Sequence, residues 1–358
     1  PRQELPPGLR VMAMPGGIWL APGFIDVQVN GGGDVLFNDT PSPEGIAAIA
    51  AAHRRFGTTA LLPTLISDTP AKMRAARDAA AAMVGVHPSI LGIHYEGPFL
   101  SPERAGIHDP AAFRRPDPED FALLTALRRG ATVVTLAPER VPSGFIAALA
   151  GAGVRVALGH SAASYEETRA ALAEGLTGFT HLFNAMPPLA SRAPGPVAAA
   201  LEEPGAWYGL IADGVHVAPP MLRLALRGRG RAMLVSDAMP PVGGTGSEFA
   251  LCGKRISVRD GRCTSADGTL AGSTLDMASA VGNCVRLLGL SLPAALRLAG
   301  AVPADFLGIG DRLGRLAPGY RADIVALDPG EIPGEIRVLA SWVAGEGDRR
   351  ALSEALSE

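Results

Sequence analysis

The chain has little cysteine, no block of basic charge and no long apolar run. Its 358 residues hold three cysteines, Cys252, Cys263 and Cys284, odd in number and without a C-x-x-C pair. That disfavours a disulfide framework and leads us to expect reduced thiols in a cytoplasmic protein. No run of Lys or Arg occurs and the formal charge is −3, so nothing points to nucleic acid or an anionic membrane. No stretch reaches the roughly 20 apolar residues of a membrane span, and no signal peptide is visible. The chain opens at Pro1 rather than methionine, which leaves a preceding stretch an open question, and the missing signal peptide weighs less for it.

What is present is a globular composition, 47% hydrophobic and 19% charged, with glycine and proline spread as turn punctuation. The length suits one large domain plus a small one. From Pro22 a unit repeats: an apolar strand, a loop, an Ala-rich helix. Strands are expected at 24–30, 58–65, 90–95, 131–137, 154–159, 178–182, 207–212 and 232–236. Helix starts are readable at Ser42-Pro43 and Asp117-Pro118, running to Gly57 and Gly130, and at Ser164 with Glu167, a capping box. Eight such units imply an α/β fold, a closed (β/α)8 TIM-type barrel, with an open doubly wound sheet as the alternative.

After Asp237 the pattern changes. Residues 247–272 read as short strands with turns at Asp260-Gly261 and Asp267-Gly268, followed by helices near 274–288 and 292–300 and strands at 321–327 and 336–343. We expect a small flanking β domain from 1–21, 246–275 and 314–358, incomplete at its N-terminal side. The barrel would take 22–245 and 276–313. Residues 1–20 carry at most one strand, and 346–358 form a charged surface helix or tail.

Barrel chemistry collects at the carboxyl ends of the strands. Here those ends read Asp26-Val-Gln28-Val-Asn30, His94-Tyr-Glu96, His160, His181, Asp213-Gly-Val-His216 and Asp237. The strand–helix–strand unit from 154 to 182 makes its two strands parallel, so His160 and His181 emerge at one edge. Two histidines and a carboxylate suit a catalytic zinc site with one position open to water, and Glu96, His160 and His181 are the economical set. Asp237 could move the proton of that water. Singly, Glu96 could serve an ion pair and Asp237 a helix cap; six polar strand ends at one rim argue for a site. His94 reads as a buried supporting histidine, and His53 and His87 carry no chemistry.

The segments Pro22-Gly-Phe-Ile-Asp26, His94-Tyr-Glu-Gly-Pro-Phe99, Leu158-Gly-His-Ser161, Thr180-His-Leu-Phe-Asn-Ala-Met-Pro187, Asp213-Gly-Val-His216 and Ser236-Asp-Ala-Met239 resemble the amidohydrolase superfamily. Within it they look like the N-acetylglucosamine-6-phosphate deacetylase family, from about Pro22 to Asp328. The resemblance implies Glu96, His160 and His181 as ligands of a divalent ion, zinc or iron, and Asp237 as catalytic acid/base. It implies sugar-phosphate contacts from Ile107, His108, Asn184, Ala185, Arg192, Asp213, His216, Leu270, Ala271 and Gly272, with Arg192 on the phosphate and His108 assisting at the oxyanion. A flanking β-sandwich, a homodimer and a small amino-sugar phosphate substrate follow from the same likeness. Most of the superfamily carries H-x-H where this chain has Gln28 and Asn30; neutral amides are weak zinc ligands, so one metal per chain is expected. Open alternatives are the galacto epimer of the substrate, another N-acyl or cyclic amide, and a barrel that binds without catalysis.

Overall fold

The computed structural model describes residue 14 and residues 16–348. Its frame is one sheet of eight parallel strands, Phe24–Val29, Thr58–Ile66, Gly92–Glu96, Ala131–Leu136, Arg155–Leu158, Gly178–Phe179, Trp207–Leu210 and Arg231–Leu234, paired in chain order. We refer to them as the first to eighth barrel strands. A parallel bridge between Val29 and Ala238 joins the last strand to the first and closes the barrel at its carboxyl end. All eight fall where the apolar runs predict them. Parallel strands are covered on both faces, and every residue of the first two is buried, which is why they read as runs rather than alternations.

The second strand carries Pro63, which cannot donate to the ladder. Pairing with the first strand shifts register between Asp26 and Val29, and Thr64 Oγ1 accepts the Val29 N–H at 2.9 Å in its place. Helix starts follow their caps. Ser42 accepts from Gly45 N ahead of Pro43–Arg54, and Ser164 with Glu167 forms the capping box of Tyr165–Ala173. Replacing such a cap by Ala costs about 1 kcal/mol. Asp117 caps a helix shorter than expected, Pro118–Leu124, and a further helix, Ala301–Leu307, follows Gly300 with no side-chain cap to mark its start. Strand and helix faces meet in one large cluster that includes Phe24, Ile49, Leu62, Tyr95, Val156 and Leu234. Truncating a fully buried member such as Leu62 to Ala is worth about 2–5 kcal/mol.

Two antiparallel sheets flank the barrel. Trp19–Pro22, Ile324–Asp328, Arg337–Val343 and Glu346–Asp348 form one from the two ends of the described chain. Residues 346–348 are therefore a hairpin strand rather than part of a helix or tail; 349–358 lie outside the described residues, as do 1–13. Glu248–Leu251, Lys254–Arg259, Arg262–Ser265 and Leu270–Ser273 form the other, with Asp260 and Gly261 both at positive φ in its hairpin turn. The sequence grouped this second sheet with the chain ends. In the structure its Leu251, Ile256, Cys263 and Ala271 pack instead with Leu36, Ile66, Ile107 and Met239, over the carboxyl mouth of the barrel. The chain-end sheet has its own cluster around Ala326 and Ala340.

Candidate metal centre

The third strand ends in Glu96, and His160 and His181 follow the fifth and sixth strands within two residues. Glu96 Oε1 lies 3.1 Å from His160 Nε2 and 3.0 Å from His181 Nε2, and the two nitrogens are 3.1 Å apart. All three residues are buried. His160 Nδ1 donates to the Arg104 carbonyl at 2.9 Å, which leaves Nε2 as a bare lone pair. Burial opposes ionisation of Glu96, but the two imidazoles outweigh it and hold the carboxyl well below its usual range. Three electron-pair donors thus converge on one point, and one shared proton cannot satisfy them all. A divalent cation can, so the donor set fits a metal.

The first strand supplies the opposite chemistry. Gln28 Nε2 donates to Glu96 Oε2 at 3.1 Å and to Asp237 Oδ1 at 3.2 Å, and Asn30 Nδ2 donates to Asp237 Oδ1 at 2.7 Å. Both bonds to Asp237 fall on Oδ1; among the described residues none reaches Oδ2. Burial, reinforced by the negative charge of Glu96, raises the Asp237 carboxyl to about 6. Asn30 Oδ1 and His181 Nδ1 are buried without partners. Backbone strain accompanies the chemistry: φ is 47° at His160, 32° at His181 and 52° at Asp237. Left-handed backbone costs a non-glycine residue on the order of 1–2 kcal/mol. No periodicity argument reveals it.

A cavity of about 380 Å³ opens beside these groups, lined by Glu96, His160, His181 and Asp237 and by Ile107, His108, Asn184, Ala185, His216, Leu270 and Gly272. His108 sits with its ring 4.4 Å from that of His160 and its Nδ1 2.9 Å from Ser67 Oγ; burial, and then the neighbouring His160, hold it down to about 3, hence neutral. Asn184 Nδ2 donates to the His181 carbonyl at 3.2 Å. Three expected contacts do not line the cavity. Asp213 lies behind His216, accepting its Nδ1–H at 2.6 Å and two backbone N–H groups. Ala271 alternates away from Leu270 and Gly272 into the mouth-sheet core, being fully buried. Arg192 lies on an exposed segment.

Asn30, Ile66, Gly106, Met239, Gly268 and Thr269 line the cavity unforeseen as contacts. Gly272 has φ 59°, and a Cβ there would meet Met239 Cε at 2.6 Å, a backbone demand that the A-G-S spelling does not announce. A larger cleft of about 770 Å³, between Trp207, Arg231 and Arg297, opens at the amino-terminal ends of the seventh and eighth strands and contains none of these groups.

The sequence signature described as "Amidohydrolase family" matches residues 19–351. The chain belongs to the amidohydrolase family. Among amidohydrolases of known activity it is 43% identical to an N-acetylgalactosamine-6-phosphate deacetylase from Shewanella sp. (strain ANA-3), over 91% of this chain and 82% of that protein. Among solved amidohydrolase structures it matches N-acetylglucosamine-6-phosphate deacetylase from Pasteurella multocida with TM-score 0.92 and 33% identity, covering 98% of this chain and 91% of that one. A mutant N-acetyl-D-glucosamine-6-phosphate deacetylase from Mycobacterium smegmatis, in complex with N-acetyl-D-glucosamine-6-phosphate, matches with TM-score 0.82 and 37% identity over 92% of this chain and 86% of that one. Amidohydrolases are typically metal-dependent, in keeping with the Glu96, His160 and His181 cluster. No helix among the described residues is long and apolar enough to cross a membrane.

Proposed function

We propose that this protein is a deacetylase that hydrolyses N-acetylglucosamine 6-phosphate to glucosamine 6-phosphate and acetate. The observation that carries the reading is the convergence of Glu96, His160 and His181 at 3.0–3.1 Å beside an Asp237 oriented by Asn30. One divalent ion per chain, zinc by the character of the ligands, would be held by Glu96 Oε1 and the two Nε2 atoms. Once bound it would lower the pKa of water toward about 7 and polarise the acetyl carbonyl.

The protein's own groups do the rest. Asp237 Oδ2 takes the proton as the water oxygen bonds to the acetyl carbon, while Asn30 and Gln28 hold Oδ1 and fix the rotamer. The same proton passes from Asp237 to the amine nitrogen as the C–N bond breaks, so one carboxyl serves as base and then acid. A raised carboxyl near 6 is matched to that double role. Neutral His108 stands beside His160 as a donor for the developing oxyanion. His216, set by Asp213, and Asn184 face the sugar, and Leu270 and Gly272 form the opposite wall. Arg192 carries no ion pair among the described residues, and its planar donor fork suits the 6-phosphate.

The galacto epimer is the second reading, favoured by the 43% identity to the Shewanella enzyme against 33% and 37% for the two glucosamine-type structures. We further propose a cytoplasmic homodimer and a barrel domain of 22–245 with 276–313, flanked by a small unit from the chain ends and by the separate mouth sheet within 246–275. Acetate release from N-acetylglucosamine, N-acetylgalactosamine and their 6-phosphates tests the function. The reading expects hydrolysis of a 6-phosphate at rates well above the free sugars. Equal rates with and without phosphate would point to another amide, and no release from any of the four, with metal bound, would leave a binding barrel.

A further inference from the structure

Directly beneath the candidate metal centre, inside the barrel, three polar side chains form a continuous chain of short hydrogen bonds. His94 Nδ1 lies 3.1 Å from the Val27 carbonyl, His94 Nε2 lies 2.7 Å from Thr135 Oγ1, and Thr135 Oγ1 lies 2.6 Å from Thr180 Oγ1. The Val27 carbonyl can only accept, so the ring proton sits on Nδ1 and Nε2 is an acceptor. Thr135 must then donate to His94, and Thr180 must donate to Thr135. One carbonyl therefore sets the direction of the whole chain, Thr180 to Thr135 to His94 to Val27.

The placement of its members is the telling feature. His94 precedes Glu96 by two residues, on the same face of the third strand, and Thr180 immediately precedes His181. The fifth strand, which leads to His160, lies between the fourth and sixth and would block the contact. It carries Gly159 there: a Cβ at that position would meet Thr135 Cγ2 at 2.6 Å and Thr180 Cβ at 3.0 Å. The missing side chain lets the two hydroxyls meet past the residue that precedes His160. The side chains thus tie the third and sixth strand ends through the fourth, and the fifth is held between them by its backbone, Leu158 O accepting from Thr180 N and Gly159 N donating to Leu136 O; each of His94, Thr135 and Thr180 is buried.

We propose that the Thr180–Thr135–His94 chain is a positioning layer that fixes the mutual placement of Glu96, His160 and His181 for metal binding, with Thr135 as its central link. This rests on the metal-hydrolase reading above. Thr135 touches neither metal nor substrate; it acts through the strands on either side. Direct hydrogen-bond partners of metal ligands are typically worth about 10–100-fold in metal affinity, and Thr135, one link further out, is placed at the lower end of that range.

The test compares wild type with Thr135→Val, which keeps shape and removes the hydroxyl, and Thr135→Ser, which keeps the hydroxyl. The dissociation constant for Zn2+ is measured by competition with a chromophoric chelator, alongside kcat and KM at saturating Zn2+ and thermal unfolding of the metal-free protein. The proposal expects Thr135→Val to weaken Zn2+ binding about tenfold or more and to lower kcat more than KM changes, with Thr135→Ser close to wild type. Thr135→Val with wild-type Zn2+ affinity and kcat overturns it, as does equal weakening in the Ser variant. If Thr135→Val does not fold, Thr180→Val takes its place, since it removes the first donor and leaves the Thr135 to His94 bond; unchanged Zn2+ affinity there overturns the proposal equally. Wild-type protein that binds no Zn2+ would overturn the metal reading itself, whereas tight wild-type binding shared by the Val variant would remove only the positioning layer.

Discussion

Two sets of side chains face one another across the barrel mouth, and they differ in what they offer. The third, fifth and sixth strands present lone pairs from Glu96, His160 and His181, all meeting at 3.0–3.1 Å. The first strand presents N–H groups from Gln28 and Asn30, aimed at the Glu96 and Asp237 carboxylates. A cation is attracted to the first set and repelled by the hydrogens of the second. The same rim thereby separates a half that could hold a metal from a half that holds carboxylates, and on the proposed reading that division would give one ion per chain. On the same reading Asp237, held at Oδ1 by Asn30 and Gln28, would keep Oδ2 for proton transfer.

The strongest way to break the contrast is Glu96→Gln, which puts an amide in the lone-pair half. Elemental analysis should show close to one divalent ion per wild-type chain and almost none in the variant, with acetate release lost. Two tightly bound ions in wild type would mean that the amide half also holds metal, and the contrast would fall. Next comes Asp237→Asn, which keeps shape but cannot accept and redeliver a proton. Turnover should drop by about 10²–10⁴-fold with the ion retained. Were Asp237 only a helix cap, the change would be mild, because Asn caps about as well as Asp. In wild type the rate should rise with pH on the acid side as Asp237 ionises, at about 6 or lower once a cation sits beside it, and the variant should lose that limb.

Asn30→Ala sharpens the comparison by removing the 2.7 Å bond that orients Asp237. A charge-assisted hydrogen bond is worth about 1.5–3 kcal/mol, so turnover should fall roughly ten- to a hundredfold with metal content unchanged. Wild-type turnover in Asn30→Ala would show that the amide half does not hold the carboxylate. The smallest effect concerns Asp26, on the same strand. Its Oδ1 accepts from the Gln28 and Ser236 amides, its Oδ2 has no partner, and burial raises it to about 7 from 3.8. Between those values the folded chain binds more protons than the unfolded one, so stability should fall as pH rises through that window. Asp26→Asn keeps the acceptor and removes the charge, and should flatten the dependence of melting temperature on pH between about 5 and 8. An unchanged slope would show that Asp26 does not ionise there.

The barrel was legible because parallel strands are covered on both sides and spell continuous apolar runs, and because Ser42, Asp117 and Ser164 announce their helices. Glu96, His160, His181 and Asp237 were legible because strand ends at one rim converge by topology. Contacts that depend on side-chain direction were not. Gln28 and Asn30 read as missing metal ligands, while the structure shows them holding carboxylates from strands far away in sequence. Ala271 differs from its neighbours only by the alternation of a strand whose bounds were soft. The two β sheets were merged because turn signals mark strands without saying what the strands pack against.

The mouth sheet is joined to the segment after the eighth strand at Ser273, by a bridge to Ala238 and a bond from Ser273 Oγ to the Ser236 carbonyl, packs on Ile66, and supplies Leu270 and Gly272 to the cavity wall. On the proposed reading, the groups that would hold the ion and part of the wall that would meet the sugar therefore come from different sheets. If that reading holds, substitutions in the hairpin around Thr269 should reshape the cavity wall while leaving Glu96, His160 and His181 in place. For an engineer, that makes this hairpin the place to alter selectivity without first having to rebuild an active site.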